Sequence, residues 1–157
     1  MNSQRLILVT GASGYVGGRL VRDLVEDNCL VRILVRDAQK VSEQPWANKV
    51  EIVEGNANSP SDLRRALSGV HTAFYLLHSI NAGKNFDEVE SAMAKNFAES
   101  AQAENVSQIV YLGGIANDQN RSQHLASRMN TGALLASGKV PVLELRAGII
   151  IGSGSAS

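Results

Sequence analysis

Glycines 11, 14 and 17 stand three residues apart in the stretch Val9-Thr10-Gly11-Ala12-Ser13-Gly14-Tyr15-Val16-Gly17-Gly18, directly behind the apolar run Leu6-Ile7-Leu8-Val9. The chemistry this spacing suits is capture of an anion by backbone amides. The glycines permit a sharp strand-to-helix turn, let the main chain approach a pyrophosphate, and let the new helix pack close to a sheet. The anion then meets free N–H groups at the positive end of the helix dipole. Val16, Leu20 and Leu24 follow at every fourth residue, with Val21 and Val25 widening the apolar stripe, so the required helix is present. Gly11, Ser13, Gly14, Tyr15, Val16 and Gly17 are the expected contacts to a dinucleotide. A phosphate loop of the nucleotide-triphosphatase kind needs Lys-Ser or Lys-Thr after its last glycine, and Arg19-Leu20 stands there. A hydrolase elbow needs glycines two residues either side of Ser13, and Tyr15 occupies the second position.

The elements that would position such a turn alternate along the chain. Strands are predicted at Leu6–Val9, Leu30–Val35, Val50–Val53, Thr72–Leu77, Ile109–Leu112 running into Gly113-Gly114, and Val140–Leu145. Between the third and fourth, Ser59-Pro60-Ser61-Asp62 reads as a helix start: Ser59 caps, Pro60 sits where its missing N–H costs nothing, and Asp62 meets the positive end. Leu63, Ala66, Leu67 and Val70 supply its buried face. A longer helix begins at Asn85, with Glu88 completing a capping-box-like arrangement and Asp87 and Glu90 adding first-turn charge. Its stripe of Phe86, Val89, Met93 and Phe97 packs on the sheet, or in part serves a homodimer. Leu125, Met129, Ala133 and Ala136 mark a last helix that Gly138 can end. Alternation of this kind implies right-handed crossovers and a doubly wound parallel α/β sheet, a Rossmann-type three-layer fold with strand order 3-2-1-4-5-6.

Ligands of such sheets lie beyond the carboxyl ends of the strands, where strand order reverses. The candidate positions are then Gly11–Gly17, Arg36-Asp37, Gly55-Asn56-Ala57-Asn58, Leu77-His78-Ser79, Gly113-Gly114 and Arg146-Ala147-Gly148. A carboxylate at the end of the second strand would accept hydrogen bonds from the ribose of NAD. Here Arg36 stands instead, a planar fork of donors suited to a 2′-phosphate, which favours NADP(H) with NAD(H) as the alternative. Asp37 pulls the other way. Asn56, Ala57 and Asn58 border the adenine, or serve only their own turn.

At 157 residues, with 44% hydrophobic but only 4% aromatic residues, the chain suits one domain with an aliphatic sheet core. Fifteen basic residues balance fifteen acidic ones, so no charge footprint points to nucleic acid or an anionic membrane. No segment has the length of a membrane span or a secretory signal, which predicts a cytoplasmic protein. Cys29 is the only cysteine and is expected to be a buried small side chain; neither it nor the three histidines has metal-ligand spacing, so no metal is predicted.

The Thr10-Gly11-Ala12-Ser13-Gly14-Tyr15-Val16-Gly17 stretch resembles the TGxxGxxG fingerprint of extended and atypical short-chain dehydrogenase/reductase proteins. Ala73-Phe74-Tyr75-Leu76-Leu77-His78-Ser79, Asn96-Phe97-Ala98, Ile109-Val110-Tyr111-Leu112-Gly113-Gly114 and Arg146-Ala147-Gly148-Ile149-Ile150-Ile151-Gly152 are similar to that family too, in the same order, especially to its NmrA-like and epimerase-like branch. The resemblance implies a cofactor along Gly11–Gly17, Arg36, Asn58, Leu77, His78 and Gly113, with Ala147 and Gly148 near the nicotinamide. It also implies a serine after the fifth strand and a Tyr-x-x-x-Lys pair on the next helix. This chain departs there: Gly113-Gly114 replaces the serine, and His124-Leu125-Ala126-Ser127-Arg128 is the best positional match to the pair. His124 has the chemistry to exchange protons near neutrality. Arg128, one turn on, holds ribose or phosphate and lowers the histidine's pKa. Two functions follow: an NAD(P)-dependent oxidoreductase or epimerase-like enzyme acting on a small carbonyl or alcohol, or a protein that senses NADP(H) without turnover. The extended members continue into a substrate-binding lobe, which is expected to be absent from this sequence.

Overall fold

In the computed structural model, residues 5–78, 86–115, 123–148 and 150–152 are described, apart from the side chains of residues 86, 123 and 124. The elements run β1 (Leu6–Thr10), α1 (Tyr15–Glu26), β2 (Leu30–Val35), two short 3-10 helices (Ala38–Val41 and Ala47–Lys49), β3 (Glu51–Glu54), α2 (Pro60–Leu67), β4 (Thr72–Tyr75), α3 (Phe86–Ala103), β5 (Gln108–Gly114), α4 (Gln123–Ala136) and β6 (Val142–Ala147). All pairings are parallel and the strands lie in the order β3-β2-β1-β4-β5-β6, as the alternating pattern predicts.

Strands buried on both faces explain the aliphatic composition. One face of the sheet, with Leu8, Leu34, Ala73, Tyr75, Ile109 and Tyr111, packs under α2, α3 and α4. The other, with Val9, Ile33, Val35 and Phe74, packs under α1 and the two 3-10 helices, which contribute Val41 and abut Trp46. The predicted α2 face is fully or nearly fully buried at Leu63, Ala66, Leu67 and Val70. Met93 and Phe97 of the α3 stripe are buried against their own sheet, so packing accounts for them. Cys29 is half-buried beside the α1 cluster rather than fully enclosed.

Local chemistry fixes the element ends. Ser59 accepts the Asp62 N–H at 3.3 Å, and Pro60 opens α2 as predicted. Asn28 and Asn105 adopt left-handed backbone (φ 58 and 57) behind α1 and α3, and in each case the next residue donates back into the last turn, Cys29 to Leu24 and Val106 to Ala101. Arg32 of β2 closes α2 from outside, donating to the Ala66 and Ser68 carbonyls at 2.8 and 2.7 Å and pairing with Glu51.

Several strand boundaries differ from the pattern-based expectation, most clearly in β3, β4 and β6. β3 is shifted to Glu51–Glu54 because its register is set by β2, with Val35 opposite Glu54. β4 stops at Tyr75, where the chain turns toward the site, while Leu76 and Leu77 still pack on the two cores. β6 begins at Val142: Pro141 lacks an N–H, and Val140 turns into the core. Gly138 follows α4 without a left-handed backbone, so no glycine cap forms there. The Asn85 helix start and Ser79 lie outside the described residues.

Candidate functional site

The carboxyl ends of β1 and β4 meet where strand order reverses, and Thr10 ties them together. Its fully buried hydroxyl donates to the Phe74 carbonyl at 2.9 Å and accepts the Leu76 N–H at 3.3 Å. Gly11 follows with φ +74, and a Cβ there would stand 2.6 Å from the Leu76 carbonyl oxygen. Only glycine meets both conditions. Gly17 presses on the Gly11 carbonyl with no room for a side chain, and Gly14 donates to that carbonyl at 3.0 Å.

Gly14 is also the N-cap of α1, in extended conformation, with no side-chain cap and no acidic residue in the first turn. The unpaired amides and the dipole of this helix are therefore offered to a ligand. Ser13 and Gly14 are exposed, and Tyr15 and Val16 are half-buried. Arg19 lies 3.9 Å over the Tyr15 ring and adds positive charge at this end. Gly152, beyond β6, lies against the Tyr15 hydroxyl, which brings the end of the sheet's last strand back to the glycine turn. A cradle closed to a Cβ at Gly11 and Gly17, with no acidic residue in the first turn of its helix, fits a diphosphate.

Arg36, Glu54, Gly55 and Asn56 line an open cleft of about 360 Å³ at the ends of β2 and β3. Arg36 is exposed. Asp37, the residue that opposed an NADP assignment, accepts the Gln39 N–H at 2.9 Å and caps the first 3-10 helix. Asn56 accepts the Asn58 N–H at 2.9 Å through its side chain, while its own N–H goes to Asp62 at 2.9 Å. Its side-chain oxygen thus serves the turn, and Ala57 is buried in the α2–α3 core. Asn58, exposed, offers its carbonyl to Asn96 at 3.4 Å.

At the other half of the sheet the site is made of side chains. Arg128 is half-buried, and its Cδ and guanidinium lie 3.5 and 3.7 Å from where a Gly114 Cβ would stand. Its carbonyl accepts the Tyr111 hydroxyl at 2.8 Å. Its charge acts on His78, at the end of β4: burial first, then Arg128, push the imidazole pKa down to about 4, against an opposing pull from Glu90. His78 is thus a neutral ring near neutrality. Leu77 packs on the larger core.

Glu90, expected as first-turn charge, is buried and accepts the hydroxyl of buried Ser127 at 2.6 Å, joining α3 to α4. Burial raises Tyr75 well above the usual phenol range and pushes Tyr111 up to about 12, so both remain protonated donors. The structure therefore brings Arg128 toward His78. The His124 side chain lies outside the described residues.

Gly113 is buried, and a Cβ there would meet the Glu144 carboxylate at 2.6 Å. Ala147 ends β6, its carbonyl accepting the Ile115 N–H at 3.0 Å, and Gly148 is open to solvent. Thr10, Glu54, Glu90, Ser127 and Glu144 carry roles that the sequence did not announce. Glu54 was accessible by aligning the ends of β2 and β3. Glu90 was accessible through its helical spacing from Ala94, Phe97 and Ala101, a buried face one step round from the predicted stripe.

A family model described as NAD(P)H-binding matches residues 11–139. The chain belongs to that family. It is 28% identical over 130 residues to the ceramide reductase of Caulobacter vibrioides, a match covering 81% of this chain and 40% of that protein. The structure of Citrobacter sp. triphenylmethane reductase complexed with NADP(H) superposes with a TM-score of 0.75 at 23% identity, covering 89% of this chain and 48% of that one. A short-chain dehydrogenase/reductase superfamily protein from Agrobacterium tumefaciens with bound NAD gives a TM-score of 0.73 at 20% identity, covering 90% and 48%. The chain spans less than half the length of these relatives. For this NAD(P)H-binding chain a nicotinamide dinucleotide is the ligand class, and a doubly wound Rossmann-type fold is its architecture. Among the described residues no helix is long and apolar enough to cross a membrane, and no group of three or more His, Cys, Asp or Glu could hold a metal ion.

Proposed function

We propose that this chain is the dinucleotide-binding part of a cytoplasmic reductase that uses NADP(H) in preference to NAD(H) and acts on a small carbonyl or alcohol. The observation that carries the reading is the glycine turn at the β1/β4 reversal, closed to side chains and leading into an uncapped helix. Amides of the Gly11–Gly17 segment hold the diphosphate, and Arg36 takes the 2′-phosphate. Asn56, Ala57 and Asn58 border the adenine, while Leu77, His78, Gly113, Ala147 and Gly148 form the wall toward the nicotinamide. When bound, the nicotinamide supplies the hydride chemistry. His124 exchanges the accompanying proton, and Arg128 orients ribose or substrate oxygen as a permanent cation. The 28% identity to a ceramide reductase supports reduction over epimerisation.

The second reading, an NADP(H) sensor without turnover, draws support from Gly113, where a serine side chain would displace the Glu144 carboxylate. Single-turnover oxidation of NADPH against a panel of carbonyl compounds separates the two. The enzyme reading expects oxidation that slows at least tenfold in His124→Ala. Oxidation at the parental rate in that variant removes His124 from the reaction, and binding of NADPH without oxidation by any compound selects the sensor.

A further inference from the structure

The cleft that receives the adenosine end holds an acid that neither the glycine fingerprint nor the end of β2 would single out. Glu54 lies opposite Val35 in the β2–β3 register and lines the same cleft as Arg36. Its carboxylate accepts the Ala38 N–H at 3.3 Å, while Asp37 accepts the next amide, that of Gln39, at 2.9 Å. The Ala38 and Gln39 amides, two and three residues after Arg36, are therefore already held by carboxylates. The neighbouring cation, Arg65, is committed as well: it pairs with Asp62 at 3.2 Å and donates to the Glu54 carbonyl. A 2′-phosphate entering beside Arg36 meets one guanidinium and two carboxylates, whereas ribose hydroxyls find acceptors in the same place.

We propose that Glu54 sets the cofactor preference of this chain: it occupies an amide and a charge position that a 2′-phosphate would otherwise use, and so keeps the Arg36 site open to NAD(H) as well as NADP(H). Arg36 gives NADP(H) its lead, and Glu54 limits that lead. Asp37 contributes less, because its carboxylate is turned into the 3-10 helix as a cap. This inference rests on the dinucleotide reading above and concerns only how its adenosine end discriminates.

The test is a set of calorimetric titrations of the full chain and its Glu54→Gln and Asp37→Asn variants with NADPH and NADH, repeated with 2′-AMP and 5′-AMP. Glutamine keeps an acceptor for the Ala38 N–H and removes only the charge. The parent is expected to bind both dinucleotides, with NADPH ahead by less than about tenfold. Glu54→Gln should strengthen NADPH and 2′-AMP by about tenfold while changing NADH and 5′-AMP by less than about threefold, a shift of roughly one decade in the ratio. Asp37→Asn should move the ratio less. Thermal melting confirms that each variant is folded, and Glu54→Ala supplies a second neutral replacement. An unchanged NADPH/NADH ratio in both folded Glu54 variants, with the parent binding both nucleotides, overturns this inference alone. A parent that binds neither nucleotide overturns the dinucleotide reading and this inference with it.

Discussion

The two halves of the sheet meet at the β1/β4 reversal and are built on opposite principles. On the β1–β3 side the site is backbone: a glycine turn, an uncapped helix and an open cleft, with Arg36 and Glu54 as its charged side chains. On the β4–β6 side it is side chain: His78, Arg128, Glu90 and Ser127 come from the segment after β4, from α3 and from α4, partly or wholly buried. A backbone site depends on what is absent, since a Cβ at Gly11 or Gly17 has no room. A side-chain site depends on partners that arrive from distant sequence. The first should fail abruptly on adding one carbon, and the second should fail by degrees.

Gly11→Ala is the sharpest way to break that contrast. It places a Cβ at φ +74 and 2.6 Å from the Leu76 carbonyl, so a loss on the order of 2–4 kcal/mol in unfolding free energy is expected, with dinucleotide binding abolished. Denaturant titration and calorimetry check both. A variant that is as stable as the parent and still binds would show that the turn adjusts, and that the first half is no more brittle than the second.

The acid limb of stability probes the second half. His78 titrates near 4 in the folded chain against about 6.5 unfolded, so the unfolded chain binds the extra proton between those values. The contribution is intact above pH 6.5 and is lost as pH falls through that window, reaching on the order of 3 kcal/mol at its foot. His78→Gln should flatten the stability profile between pH 6.5 and 4 relative to the parent; parallel profiles would mean that the ring is hydrated and titrates normally.

Ser127→Ala removes the hydroxyl from the Glu90 carboxylate and should cost roughly 1–3 kcal/mol while leaving NADPH affinity within about threefold. A large loss of affinity with unchanged stability would move this pair from scaffold to site. Smallest in stability is Arg36→Ala, which is exposed and should change unfolding by less than about 0.5 kcal/mol, yet weaken NADPH by about tenfold and NADH much less. Equal weakening of both would detach Arg36 from the 2′-phosphate.

The difference between the halves also explains what could be read in advance. Gly11, Gly14 and Gly17 announce a turn because their function is local: a residue without a side chain at a fixed offset after a strand has few other uses. Ser59, Pro60 and Asp62 were legible for the same reason, as caps act within one turn. Glu90 was read only as first-turn charge because its burial depends on α4, which arrives 37 positions later through Ser127. Helical spacing sets Arg128 one turn from His124, and the fold in addition lets its charge act on His78, in the segment that follows β4. Asn56 was open to two readings, ligand or turn, and its hydrogen bond to Asn58 shows the side-chain oxygen serving the turn.

The sequence by itself determined the alternation of strands and helices, the parallel order 3-2-1-4-5-6, and a glycine turn fit for a diphosphate, because period, capping and backbone freedom act over a few residues. Tertiary structure alone decided that Thr10 ties β1 to β4, that Glu54 shares a cleft with Arg36, and that Glu90 and Arg128 lie inward. Those facts are set by strand register and helix packing, which bring together residues from elements far apart along the chain.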